Sequence, residues 1–384
     1  MKLKRQPEDF RVEELTDFAP GEGPFALYKL SKRGLGTPEV VQAVVQRWHI
    51  DRRRLSYGGL KDRHAVTTQF VTIDRGPKQL LEQTSFKLEY LGQAPRAFTP
   101  RDIAGNRFEI VMRHLAPDAL RRAESALDDI ARDRLANYFD DQRFGSLGQS
   151  GDYIGKAWCA EDWDRALWLA IAEPNEHDRP GDKKEKKLLR EQWRKWPELK
   201  AALGKGNRRS LVTYLVDHPD DLRGAFARTS EDLRSLYLSA YQSHAWNRLL
   251  SELIREAVPA GQLVPVRLKG GDVVFYRTLD DRTRTELFAL ELQLPSSRAE
   301  FDPAMKSRVE RVVGPLEKMK IKYPRENFFS KGVRAATLEV KNASRAAAPD
   351  ELYPGKRKLT LKFDLPRGAY ATMVVKRVTV AAGP

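Results

Sequence analysis

Near the C-terminal end of the chain, Leu359, Leu361, Phe363 and Leu365 alternate with polar residues. That period of two is the pattern of a strand with one buried face. Strand-like runs recur at the other end, at Gln69 to Ile73, Phe86 to Leu91 and Arg107 to Arg113. The stretch between the two ends reads mainly as helix. Strand-rich ends around a helix-rich middle imply one sheet-containing domain split by an insertion. The chain has 384 residues, enough for two domains with sizeable cores.

The helical segments carry recognisable start signals. Thr37 and Pro38 open a helix over 37–49, with Val40, Val41, Val44, Val45 and Trp48 on one face. Residues 118–136 form a second, with Leu120, Ala123, Leu127, Ile130 and Leu135 at helical spacing. Residues 162–172, 231–256 (after a Thr229-Ser230 cap) and 303–320 read as further helices. Leu263–Leu268, Val273–Tyr276, Thr337–Val340 and Thr372–Val380 read as strands.

One short stretch concentrates chemistry. In Gly58-Gly59-Leu60-Lys61-Asp62-Arg63 a single carboxylate stands between two cations, after two glycines and before the β-prone run Val66 to Ile73. Opposite charge nearby keeps a carboxylate ionised. The glycines allow the tight, exposed loop on which such a group could act as a nucleophile or stabilise a developing cation. A lone Lys-Asp-Arg turn is otherwise an ordinary surface feature, so other segments must decide.

Composition narrows the classes. Lys and Arg number 68 against 53 Asp and Glu, a net charge of +15, the footprint of a nucleic-acid binder. Residues 179–209 hold twelve basic and four acidic residues, with Trp193 and Trp196 among them. Such a segment can grip RNA, but a solvated helix with its tryptophans packed on the domain is the plainer reading. The single cysteine, Cys159, excludes internal disulfides and paired-thiolate zinc sites. No apolar run is long enough to span a bilayer and the N-terminus lacks a signal-peptide core, so a cytoplasmic protein is expected. Walker A, GxGxxG, GxSxG and HExxH motifs are absent. The side chains themselves must then supply the chemistry.

Several separated segments together resemble the TruD family of pseudouridine synthases. Pro7-Glu8-Asp9-Phe10-Arg11-Val12-Glu13-Glu14 is similar to its entry motif, and Gly59 to Gln69 to its catalytic motif. Asn137-Tyr138-Phe139 with Gln142-Arg143-Phe144-Gly145 resembles its third motif. Leu365-Pro366-Arg367-Gly368-Ala369-Tyr370-Ala371-Thr372 resembles its C-terminal one, and Ser239 to Asn247 its signature helix near the inserted domain. Asp140 and Ala369 depart from the small residue and the Ser common there.

The resemblance implies an α+β fold. Residues 1–150 and 328–384 would form the catalytic domain, a mixed, largely antiparallel sheet flanked by helices, and residues 151–327 an inserted α/β domain. It implies conversion of uridine to pseudouridine in tRNA, best known at uridine 13 of the D arm, with no cofactor, no membrane and no obligatory protein partner; the same chemistry on other structured RNA, or RNA binding without catalysis, are the alternatives. Asp62 would be the catalytic aspartate, acting at C1′ of a flipped-out uridine. Phe10 and Tyr370 would contact the flipped nucleotide, Asn137 would hydrogen-bond in the site and Phe139 would pack nearby. Lys4, Lys61, Arg63 and Arg143 would contact phosphate or hold Asp62.

Overall fold

The computed structural model describes residues 1–324 and 327–383. The chain divides into two compact units, Met1–Leu135 with Leu338–Pro384, and Ala136–Thr337. The compact units divide at 135/136 and 337/338, whereas domain boundaries are expected from the sequence at 150/151 and 327/328.

The first unit is built on a nine-stranded sheet. Along it run, in order, Lys341–Pro349, Arg357–Pro366, Gly105–Leu115, Phe10–Leu15, Val66–Asp74, Phe25–Arg33, Phe86–Ala94 and Leu81–Gln83, with Leu55–Tyr57 also paired to Val66–Asp74. Phe10–Leu15 and Val66–Asp74 are parallel; the other pairs are antiparallel. C-terminal strands thus complete a sheet begun at the N-terminus: Leu361 sits opposite Ile110 and Phe363 opposite Phe108. The Phe108 and Phe363 rings lie 5.6 Å apart.

Helix Thr37–Trp48 buries Val40, Val41 and Val44 against Ala26, Tyr28, Leu30, Val71 and Ile73. Thr37 does not cap this helix. Gly36 occupies the cap position, and the Thr37 hydroxyl is fully buried in contacts described below.

Thr372–Val380 is not a strand but part of helix Ala371–Ala382. Its Thr and Val residues favour strands in isolation. Yet Ala371, Val374, Val375, Val378 and Ala382 are buried at helical spacing, and the helix packs along helix Pro117–Asp133. Tertiary burial outweighs the propensity. Two nine-residue strands carry no clean sequence pattern. Phe25–Arg33 is buried in a continuous rather than alternating pattern near its start. Lys341–Pro349 is the sheet's edge and almost wholly exposed, so it needs no apolar face.

The second unit is mostly helical. Helix Glu231–Ala257 runs through it, burying Tyr237, Leu238, Ala245, Leu249 and Leu253 in one apolar cluster. A hairpin pairs Leu263–Leu268 with Gly271–Tyr276. The helix at Pro303 ends at Val313 rather than at 320, because Gly314 adopts φ +96° and Pro315 follows. The basic 179–209 segment forms helices Pro180–Glu191 and Trp196–Ala202 and enters Asn207–Asp217. Leu189, Trp196, Leu199 and Leu203 are core residues there, with Trp193 packed beside them. Its tryptophans serve packing, as the plainer reading has it.

Candidate active site

Asp62 lies on the loop joining strands Leu55–Tyr57 and Val66–Asp74. Sterics and buried polar groups fix this loop. A Cβ on Gly58 would come within 2.5 Å of the Ile103 side chain and 2.9 Å of the Phe98 ring, so any larger residue would force these side chains to shift. Gln69, fully buried, donates from Nε2 to the Gly59 carbonyl at 3.1 Å. The Thr37 hydroxyl donates to Gln69 Oε1 (2.8 Å) and accepts the Lys61 N–H (3.1 Å).

Lys32 is the strongest constraint. Its side chain, on a residue only 2 % exposed, runs beneath the loop. Its Nζ donates to the carbonyls of Leu35 (2.6 Å), Asp62 (2.8 Å) and Lys61 (3.3 Å). Three donors meet three acceptors, which is what an ammonium offers and a neutral amine does not. Burial pushes the Lys32 pKa down to about 8; the charges of Asp62 and Glu39 oppose that and Lys61 adds to it.

The carboxylate itself faces a different cation. Lys4 Nζ lies 2.7 Å from Asp62 Oδ2, and both side chains are about one-third exposed, at 31 % and 38 %. The same ammonium sits 3.8 Å from the centre of the Phe10 ring, a cation–π contact. The backbone here is pinned too: His64 Nε2, facing a carbonyl, donates to Lys4 O at 3.0 Å. The turn Pro7–Asp9 follows, and Asp9 accepts from the Arg5 N–H at 3.0 Å. Asp9 is itself buried against Arg113 (2.8 Å), which also binds Asp350 (3.0 Å) and Glu351 (3.0 Å). An N-terminal turn, a central strand and a C-terminal segment are thereby tied together behind Lys4 and Phe10.

The two cations beside Asp62 in sequence point elsewhere. Lys61 Nζ reaches Glu14 Oε1 and Asn106 Oδ1, each at 2.8 Å, and is nearly buried. Arg63 lies at the surface, 3.3 Å from Glu39. Of the cations expected to hold Asp62 or contact phosphate, Lys4 is the one paired with the carboxylate, while Lys32, not among them, holds its backbone. Strand alternation explains Lys61, since the buried Phe10–Val12–Glu14 face places an acid inside that needs a partner. Lys32 was missed entirely. Its signal was a charge in step with the inward face of a strand that was itself not recognised.

Phe10 is 6 % exposed and packs edge-on to Phe108, 6.2 Å between ring centres. Tyr370 is half-buried, at the N-terminus of helix Ala371–Ala382, just after the Gly368 turn with φ +80°. Asn137, Phe139 and Arg143 belong to the second unit. Asn137 donates to the Ala335 carbonyl at 3.0 Å and accepts from Arg334. The Asn247 side chain clamps both backbone groups of Phe139 at 2.8 Å. The Phe139 ring packs edge-on against Trp246, and the guanidinium of Arg334 lies 4.3 Å from its centre and that of Arg143 5.4 Å. Arg334, which contacts both Asn137 and Phe139, has no recognisable sequence signal.

The chain as a whole has known counterparts. The model of one protein family, tRNA pseudouridine synthase D (TruD), matches residues 1–378. The chain belongs to that TruD family. Among its relatives, tRNA pseudouridine synthase D 1 of Methanococcus maripaludis is 28 % identical, over 98 % of this chain and 99 % of that protein. The tRNA pseudouridine synthase D of Aquifex aeolicus is 25 % identical, over 98 % of each. The crystal structure of a TruD protein from Methanosarcina mazei superimposes with a TM-score of 0.74 at 26 % identity, covering 98 % of this chain and 93 % of that one. TruD proteins form a family of tRNA-modifying isomerases, and this chain shares their α+β architecture.

Within this TruD chain the Asp62 loop offers an accessible carboxylate whose backbone is fixed from below and whose charge is met from one side. Among the described residues, no hydrogen bond is made to its other oxygen, Oδ1. Among the described residues, no group of three or more His, Cys, Asp or Glu could hold a metal ion, and no helix is long and apolar enough to cross a membrane.

Proposed function

We propose that this chain isomerises uridine to pseudouridine in tRNA, at uridine 13 of the D arm, with Asp62 as the catalytic residue. The observation that carries this is the Asp62–Lys4 ion pair, on a loop locked by Lys32, Thr37 and Gln69. The reaction breaks C1′–N1, forms C1′–C5, removes the proton from C5 and returns one to N1. Positive charge develops at C1′ as the first bond breaks. An ionised carboxylate either attacks that carbon or offsets its charge, and Lys4 keeps the carboxylate oriented for both.

A uridine inside a helix cannot reach such a group, so it is flipped out. Phe10 and Tyr370 are assigned to the flipped nucleotide, with Lys4 bracing both Asp62 and Phe10. Arg63, exposed at the loop's edge, is assigned to phosphate; Lys61 is assigned to holding the loop. Asn137, Phe139 and Arg143 are assigned to substrate binding on the strength of the third motif. The sheet-bearing unit is the proposed catalytic domain, Ala136–Thr337 the proposed insertion, and the cytoplasm the proposed location.

The deciding experiment reacts purified protein with unmodified tRNA and maps pseudouridine by position, for wild type and Asp62→Asn. The expected outcome is product at position 13 with wild type only, and tRNA binding retained in the variant. Equal product from both proteins would remove Asp62 from its role. Product only at other positions or in other RNAs would keep the chemistry and replace the substrate.

A further inference from the structure

The second unit holds a cavity of 310 Å³ that the proposed chemistry does not use. Three cations line it, each from a different element: Lys156 from helix Ile154–Cys159, Arg248 from helix Glu231–Ala257, and Lys269 from the hairpin turn after Leu268. Among the described residues, none of the three has an ion-pair partner. Lys269 Nζ has only a long contact to the neutral Asn175 side chain, 3.4 Å; Glu176, Asp141 and Asp178 act on it at longer range. Asp152, a carboxylate on the same wall, is engaged by Arg165. Elsewhere in the chain, half-buried cations like Lys269 are paired: Lys186 with Asp178, and Arg208 with Asp182 and Glu185. Glu176, Asp141 and Asp178 offset Lys269 only at a distance; three like charges gathered without a directly paired counter-charge repel one another, and an anion in the cavity relieves that repulsion.

The remaining wall is aromatic. Tyr153 and His244 stack with ring centres 4.5 Å apart, and Tyr241 lies beside Tyr153. His244 Nδ1 is 2.7 Å from the Gly270 carbonyl. A carbonyl only accepts, so Nδ1 carries the proton. Burial, opposed by the Gly270 hydrogen bond and aided by the charges of Arg248 and Lys156, pushes the His244 pKa down to about 4. The ring is therefore neutral at pH 7, and Nε2 presents a lone pair. Nε2 makes no hydrogen bond to the described residues. The site thus combines positive charge for a phosphate with a neutral acceptor suited to a hydroxyl, the two features that separate RNA from DNA and from free anions.

We propose that this cavity binds one phosphate and the adjoining ribose hydroxyl of the RNA substrate. The inference rests on the RNA-modifying function proposed above. Lys156 and Arg248 are surface residues, so Lys156→Gln with Arg248→Gln leaves the core untouched. In the full-length chain this double variant raises the Kd for tRNA. It also flattens the plot of log affinity against log salt by about 1 for each phosphate the protein no longer neutralises. An unchanged Kd and slope, with an unchanged thermal midpoint as the folding control, overturns the proposal.

A second readout uses protein with ¹⁵N-labelled histidine, titrated with a short oligouridylate and with its deoxy counterpart. The His244 ring resonances shift with the ribose form and much less with the deoxy form, and the double variant abolishes the shift. No shift with either overturns the site; equal shifts overturn its recognition of the hydroxyl. Neither readout needs turnover, and both are repeated in Asp62→Asn. A failure of the catalytic assignment is thereby distinguished from a failure of this cavity.

Discussion

Asp62 is held by residues that its own neighbourhood in sequence does not announce. The partner of its carboxylate comes from position 4, and the donor to its carbonyl from position 32. Lys4→Met removes one charge-assisted hydrogen bond, worth roughly 1.5–3 kcal/mol. Steady-state kinetics on tRNA should then show kcat reduced on the order of 10- to 100-fold, with a smaller effect on KM. Lys32 makes a prediction in pH. Its folded pKa of about 8 lies below its ordinary value of 10.5. Between those values the unfolded chain keeps the proton and the folded chain does not. The cost of burying the charge is thus fully present below pH 8 and relieved as pH rises. The same deprotonation leaves two N–H donors for three carbonyls, so the loop loosens. Wild-type kcat should decline above about pH 8, and Lys32→Met should give a low rate without that limb. A wild-type rate flat to pH 10 would dissociate Lys32 from the reaction.

Elements position these residues through close backbone approach and one buried ionic network. Gly58→Ala would push a methyl group into Ile103 and Phe98. Overpacking of this kind typically costs about 1–3 kcal/mol, and here it also displaces the loop; denaturant unfolding and kcat should both register it. Arg113→Met would leave Asp9 and Asp350 buried without their cation. Breaking one side of such a network costs roughly 3–5 kcal/mol, to be read as a fall in the unfolding midpoint. Elements also show where sequence patterns fail. Helix Thr37–Trp48 and strand Arg357–Pro366 were legible because burial imposes one clean period on each. Helix Ala371–Ala382 was not, since its β-branched residues contradict the shape that packing imposes. Edge strand Lys341–Pro349 was not either, because an exposed edge needs no apolar face.

Charge is a property of the whole molecule, and the structure redistributes what composition implied. Much of the basic 179–209 segment is helix with a buried apolar side. Part of its charge is neutralised locally, as in Lys186–Asp178 and Arg208–Asp182. Removing the segment would expose Leu189, Trp196, Leu199 and Leu203, so its contribution to RNA binding is better read by neutralising its exposed lysines. Changing Lys183, Lys184, Lys187 and Lys195 to Gln should preserve the thermal midpoint and reduce tRNA affinity mainly at low salt, as general attraction does. A salt-independent loss of affinity would instead make them specific contacts.

The amino-acid sequence determined the class of this protein. Its separated motifs, basic charge and strand-rich ends depend on residue identity and short spacing, and they pointed to one family and one carboxylate. Only the tertiary structure decided which cations serve that carboxylate. Lys61 and Arg63 are adjacent to Asp62 in the chain, but alternation along a strand and the geometry of a turn send their side chains to Glu14 and Glu39. Lys4 and Lys32 reach Asp62 because neighbouring strands in a sheet bring distant segments within hydrogen-bond range. Hydrogen bonds act over about 3 Å of space regardless of separation along the chain.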